Sequence, residues 1–150
     1  ILDGGPTEVG IESTVLTLAA SVPRILRPGM VSREAIEAVI GPVEEGAAAA
    51  SDLLASPGMH KRHYSPRTRL VLVERGALPA EGRGIYLYWS EPAGAHAIAM
   101  PRAAADYAAT LYATLHELDA AGWDWIAVEQ PPAGVNWDGI RDRLRRAAAR

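Results

Sequence analysis

Residues 103–129 read AAADYAATLYATLHELDAAGWDWIAVE, and two periods meet in them. Tyr107, Leu111, Leu115 and Leu118 recur at helical spacing, which predicts a helix over Ala103–Ala121 with one apolar stripe. Gly122 supplies the residue type that ends helices. Trp123–Glu129 then reads as a short buried strand. A long amphipathic helix running directly into such a strand is the building unit of an α/β sheet protein.

The same rhythm continues on both sides. Leu70–Glu74, Gly84–Trp89 and Ala97–Met100 read as strands bounded by turn residues. Asn136 or Asp138 would cap a final helix through Ala149. Residues 67–150 are therefore expected to form a three-layer α/β domain with a mainly parallel sheet. Gly82-Arg83-Gly84 precedes a strand instead of following one, so it is no dinucleotide fingerprint.

The first third has another pattern. Residues 11–18, IESTVLTL, and 23–27, PRILR, read as strands, and Pro28-Gly29 makes a turn. Ser32 is an N-cap, and Ala35, Ile36, Val39 and Ile40 follow at helical spacing until Gly41-Pro42. These elements, residues 1–43, are too few for a core of their own. Residues 44–66 read as a linker that ends in a basic and aromatic strip, Met59-His60-Lys61-Arg62-His63-Tyr64-Ser65-Pro66. The opening Ile1-Leu2-Asp3-Gly4-Gly5-Pro6 resembles the inside of a domain, so a missing upstream piece is expected.

Composition sets limits. The 150 residues carry a net charge of −3, unlike the strongly basic balance of a general nucleic-acid coat. There is no cysteine, which excludes disulfides, thiolate nucleophiles and cysteine-bound zinc. No histidine pair has the zincin spacing, and His60 with His63 lacks a third ligand, so no metal site is expected. No apolar run is long enough to cross a bilayer, and no signal peptide opens the chain, so a cytoplasmic setting is expected.

Three groups of residues could carry chemistry. Ser13 and Thr14 would lie on a strand near Arg27, giving small hydroxyls beside a planar fork of donors suited to phosphate or carboxylate; ordinary strand and turn residues fit the same pattern. The strip around His63 and Tyr64 could cover a bound anion, or be a solvated linker. Trp123, Trp125 and Trp137 with Glu129 read as packing anchors. Arg141, Arg143, Arg145, Arg146 and Arg150 could form an RNA-binding helix face, or a solvated one balanced by Asp138 and Asp142.

In family order, Asp3-Gly4-Gly5-Pro6 with Gly10–Val15, Pro23–Gly29, Ser56–Pro66 and Arg141–Leu144 resemble the two-domain threonylcarbamoyl-AMP synthases. The chain is similar to their C-terminal portion: the end of the YrdC-like catalytic domain, the interdomain linker and a Rossmann-like accessory domain. The resemblance implies an enzyme that joins L-threonine, bicarbonate and ATP, carried with Mg²⁺, into threonylcarbamoyl-AMP and pyrophosphate for tRNA modification. It implies that Ser13, with Thr14 beside it, contacts threonine, and that Arg27 contacts ATP. His63 and Tyr64 would belong to a lid over the site. Partners among tRNA-modification proteins are implied, and direct tRNA binding is left open. The family's lysine- and arginine-bearing phosphate site has no counterpart here, so the chain alone is expected to be inactive. The competing expectation is a stand-alone nucleotide-binding, regulatory or partner-docking α/β module.

Overall fold

A computed structural model describes residues 2, 4, 5, 8–46 and 65–149. Two sheets organise it. The first has the order β1-β2-β3, formed by β1 (Val15–Thr17), β2 (Arg24–Arg27) and β3 (Glu44–Glu45). β1 and β2 run antiparallel with an irregularity between Val15 and Leu16, and β2 and β3 run parallel. Helix α1 (Arg33–Ile40) makes the crossover between β2 and β3. Ser32 caps it by accepting from the Ala35 N–H at 3.2 Å, and Gly41 ends it at φ +84°. Glu37 then accepts from the Val43 N–H at 3.0 Å, which fixes the chain as it leaves the helix.

The second sheet is wholly parallel, with the order β4-β7-β5-β6. Its strands are β4 (Arg69–Val73), β5 (Gly84–Tyr88), β6 (Ala97–Ala99) and β7 (Trp125–Glu129). Helix α2 (Ala104–Ala120) feeds β7, and a 3-10 turn (Val135–Trp137) leads into helix α3 (Asp138–Ala148). This matches the α/β reading and its parallel sheet. Strand alternation sorts the side chains into two layers. Leu70, Ile85, Leu87, Ile126 and Val128 face the stripe of α2 and the Ile140–Leu144 face of α3. Val73, Tyr86, Trp125 and Ala127 face the other way, where the loop residues Leu78 and Ala93 cover them. Leu87, Leu111, Ile126, Ile140 and Leu144 are fully buried. Each contributes roughly 1.5–3 kcal/mol by leaving water.

The two ends of the chain meet in this helix layer. Ile11 belongs to the same buried cluster as α2 and α3. The strand read over residues 11–18 is therefore shorter: residues 11–14 turn aside to dock on the helices. Glu44 and Glu45, read as the start of a linker, pair with β2. Neither Asn136 nor Asp138 caps α3. Trp137 occupies the cap position without a side-chain bond, and Asp138 instead pairs with Arg141 one turn on.

Candidate functional site

The site grows from two short pieces of backbone, residues 10–14 and 27–29. Thr14 fastens them together. Its hydroxyl donates to the Val31 carbonyl at 2.8 Å and accepts from the Gly29 N–H at 3.0 Å. Gly29 has no side chain because none would fit: a methyl there would lie 2.3 Å from the Thr14 nitrogen. Arg27, at the end of β2, is buried at 6% exposure. Its Nε and Nη2 donate to the Ser13 carbonyl at 3.3 and 3.1 Å. The structure thus brings Ser13, Thr14 and Arg27 to one place. Ser13 is exposed, and its hydroxyl has no hydrogen bond among the described residues. His63 and Tyr64 lie outside the described residues.

Arg143 and Glu12, which no local pattern in the sequence brings together, brace the two backbone pieces from behind. Arg143 on α3 has a side chain only 4% exposed. Its Nε meets the Glu12 carboxylate at 2.5 Å. Its Nη2 donates to the Glu12 carbonyl at 3.1 Å, and its Nη1 donates to the Pro28 carbonyl at 2.9 Å and to Asp142 at 2.8 Å. Tyr112 of α2 donates to the same carboxylate, 3.4 Å from Oε1 and 3.3 Å from Oε2. Burial works to raise the Glu12 carboxyl, but the Arg143 hydrogen bond and charge outweigh it and hold it below the usual glutamate value. Burial, and then the neighbouring Arg143 charge, hold Arg27 below the ordinary arginine value.

One signal for Arg143 was present in the sequence. It falls three residues after Ile140 and four before Ala147, on the face that α3 buries. Its partner lies 131 residues away, so nothing local identified Glu12. The proposed RNA-binding stripe is also altered by this burial. Arg143 faces inward, Arg146 pairs with Asp142 at 2.8 Å, and Arg141 pairs with Asp138.

Beside this cluster a cavity of about 570 Å³ opens between residues 9–12, α2 and the returning chain. Val9, Glu12, Ser65, Tyr112, His116 and Asp119 line it. At the far end of the parallel sheet, Glu129 accepts from the Trp89 and Ser90 N–H groups at 2.9 and 3.1 Å and from the Ser90 hydroxyl. These bonds tie the loop after β5 across the strand ends, where an open α/β sheet binds nucleotides. The tryptophans anchor packing as expected: Trp137 meets Tyr107 edge-on at 5.4 Å, and Gly84 leaves space for the Trp125 ring. Among the described residues no group of three or more metal-ligating side chains gathers, and no helix is long and apolar enough to cross a membrane.

Residues 31–149 match the family model described as threonylcarbamoyl-AMP synthase, C-terminal domain. The chain belongs to the threonylcarbamoyl-AMP synthase family. The synthase of Bacillus subtilis is 36% identical over 99% of this chain and 48% of its own length. That of Pyrococcus abyssi is 43% identical over 77 residues, 49% of this chain and 23% of its own. The solved structure of P. abyssi Sua5 complexed with L-threonine superposes with a TM-score of 0.84 at 30% identity, over 97% of this chain and 48% of that one. A variant of it with an adjacent histidine and tyrosine changed to alanine gives 0.82 at 25% identity, over 97% and 47%. This chain spans about half the length, or less, of the synthases it matches.

Proposed function

We propose that these residues form the C-terminal domain of a threonylcarbamoyl-AMP synthase together with the strand pair that bears part of its substrate site. The threonine amine and bicarbonate form a carbamate, a C–N bond replacing a C–O bond as water leaves. A carbamate carboxylate oxygen attacks the α-phosphorus of MgATP, the bond to the β-phosphate oxygen breaks, and pyrophosphate leaves. The adenylate serves threonylcarbamoyl modification of tRNA. Ser13, with Thr14 beside it, contacts threonine, and Arg27 offsets phosphate charge as it builds up.

The observation that carries this reading is the meeting of Arg27 with Ser13 in a fold shared with a synthase whose structure holds L-threonine. Exposed apolar residues around the first sheet support it too. Leu18 after β1, Val31 in the loop before α1, and Val39 and Ile40 on α1 are large, apolar and exposed, which suits a unit that belongs to a larger catalytic domain. His63-Tyr64 is the one His-Tyr dipeptide in the sequence. His63 and Tyr64 are assigned to a lid over the site by the family resemblance, and the solved Pyrococcus variant carries its changes at an adjacent histidine and tyrosine.

Pyrophosphate release tests the reading. The full-length gene product that carries these residues releases pyrophosphate from MgATP only when threonine and bicarbonate are both present, and the 150-residue chain alone releases none above background. Release without threonine, or turnover by the chain alone, contradicts it.

A further inference from the structure

We propose that Arg143 is a positioning residue for the substrate site: from α3 it holds the backbone on which Ser13 and Arg27 are mounted. The inference rests on the site reading given above and assigns a role to the C-terminal domain within it.

The geometry is specific. Arg143 takes the carbonyl of Glu12, the residue before Ser13, and the carbonyl of Pro28, the residue after Arg27. Arg27 takes the carbonyl of Ser13 itself. Two guanidinium groups therefore bind three carbonyls in two backbone pieces that are 14 residues apart in sequence at their closest bond. The fork of arginine can span two carbonyls and a carboxylate at once, whereas a lysine ammonium is a single point of charge. Asp142 and Glu12 balance Arg143, so it can stay buried and charged.

Packing reinforces the grip. A methyl on Gly10 would lie 2.1 Å from the Ala108 carbonyl oxygen, so this backbone touches α2 directly. A methyl on Gly139 of α3 would lie 2.9 Å from the Gly29 carbonyl oxygen. The pieces on either side of Ser13 and Arg27 thus rest against helices of the C-terminal domain. The Arg143 hydrogen bonds to these two pieces go to the Glu12 and Pro28 carbonyls and the Glu12 carboxylate. Arg143 holds the backbone at both pieces, so a shift of α3 moves both substrate groups together.

The test compares Arg143→Lys, Arg27→Lys and Arg145→Ala in the full-length gene product. Arg145 lies exposed on the same helix and serves as the control. Arg143→Lys is expected to raise KM for both threonine and ATP by about tenfold while kcat changes by less than about threefold, the pattern of lost ground-state positioning. Arg145→Ala leaves both KM values unchanged. Hydrogen exchange of Arg143→Lys is expected to quicken in peptides covering 12–14 and 27–29 but not in one covering β7. Unchanged KM values for Arg143→Lys, with Arg27→Lys raising that for ATP, overturn the positioning role and leave the site reading intact. If neither variant moves any KM, the site reading falls as well. Faster exchange throughout, β7 included, shows Arg143 to be a fold-stabilising residue only and overturns the proposal.

Discussion

Gly139 and Gly29 meet with no room for a side chain between them: a methyl on Gly139 would lie 2.9 Å from the Gly29 carbonyl oxygen and 2.8 Å from the Ile11 methyl. With Gly10 against Ala108, this contact sets how closely the first sheet approaches the helices. Gly10→Ala and Gly139→Ala are both expected to destabilise the protein, by about 1–3 kcal/mol, the usual cost of overpacking. Gly10→Ala should cost more, because its neighbours are backbone atoms, whereas the Ile11 side chain can turn away. Urea midpoints of the two variants check the order.

The Glu12–Arg143 pair gives the protein an acid limit. The folded Glu12 carboxyl lies below its ordinary value. The stability it lends is present above that ordinary value and is lost as pH falls through the lowered one. Glu12→Gln should lower stability near neutral pH and flatten the decline from about pH 5 down to about pH 2. Asp119, also lowered by hydrogen bonds from Thr68 and Arg67 despite the opposing effect of burial, will keep part of the slope. Urea midpoints taken across that range, with and without the substitution, measure the difference.

Thr14 joins the two backbone pieces through a single hydroxyl. Thr14→Val keeps the shape and removes both bonds, leaving the Gly29 N–H and the Val31 carbonyl without that partner. The expected loss is about 1 kcal/mol per bond, and Thr14→Ser should recover most of it. Thermal unfolding of the pair of variants separates the lost hydroxyl from the lost methyl.

Much of the fold was legible because its signals are local. The stripe Tyr107-Leu111-Leu115-Leu118, the Ser32 cap and the Gly41 and Gly122 stops each lie within one turn of the element they define. The strand order was not legible: β7 enters between β4 and β5 because of packing that no single segment encodes. Glu44-Glu45 has no apolar alternation and pairs only because α1 delivers it beside β2. Ile11 and Glu12 looked like the start of a strand because a residue buried against a helix and one buried in a sheet share the same apolar pattern. The site was half legible. Ser13, Thr14 and Arg27 stand close in sequence and in space, but the carboxylate and guanidinium that brace them come from opposite ends of the chain.

The central claim is that Arg27 and Ser13 belong to one substrate site of a threonylcarbamoyl-AMP synthase. Steady-state pyrophosphate release by the full-length gene product, with Ser13→Ala and Arg27→Lys measured at varied threonine and varied ATP, tests it most directly. Ser13→Ala is expected to raise KM for threonine, and Arg27→Lys KM for ATP, each by about tenfold, roughly 1.4 kcal/mol of binding. Parental kinetic constants in both variants contradict the account.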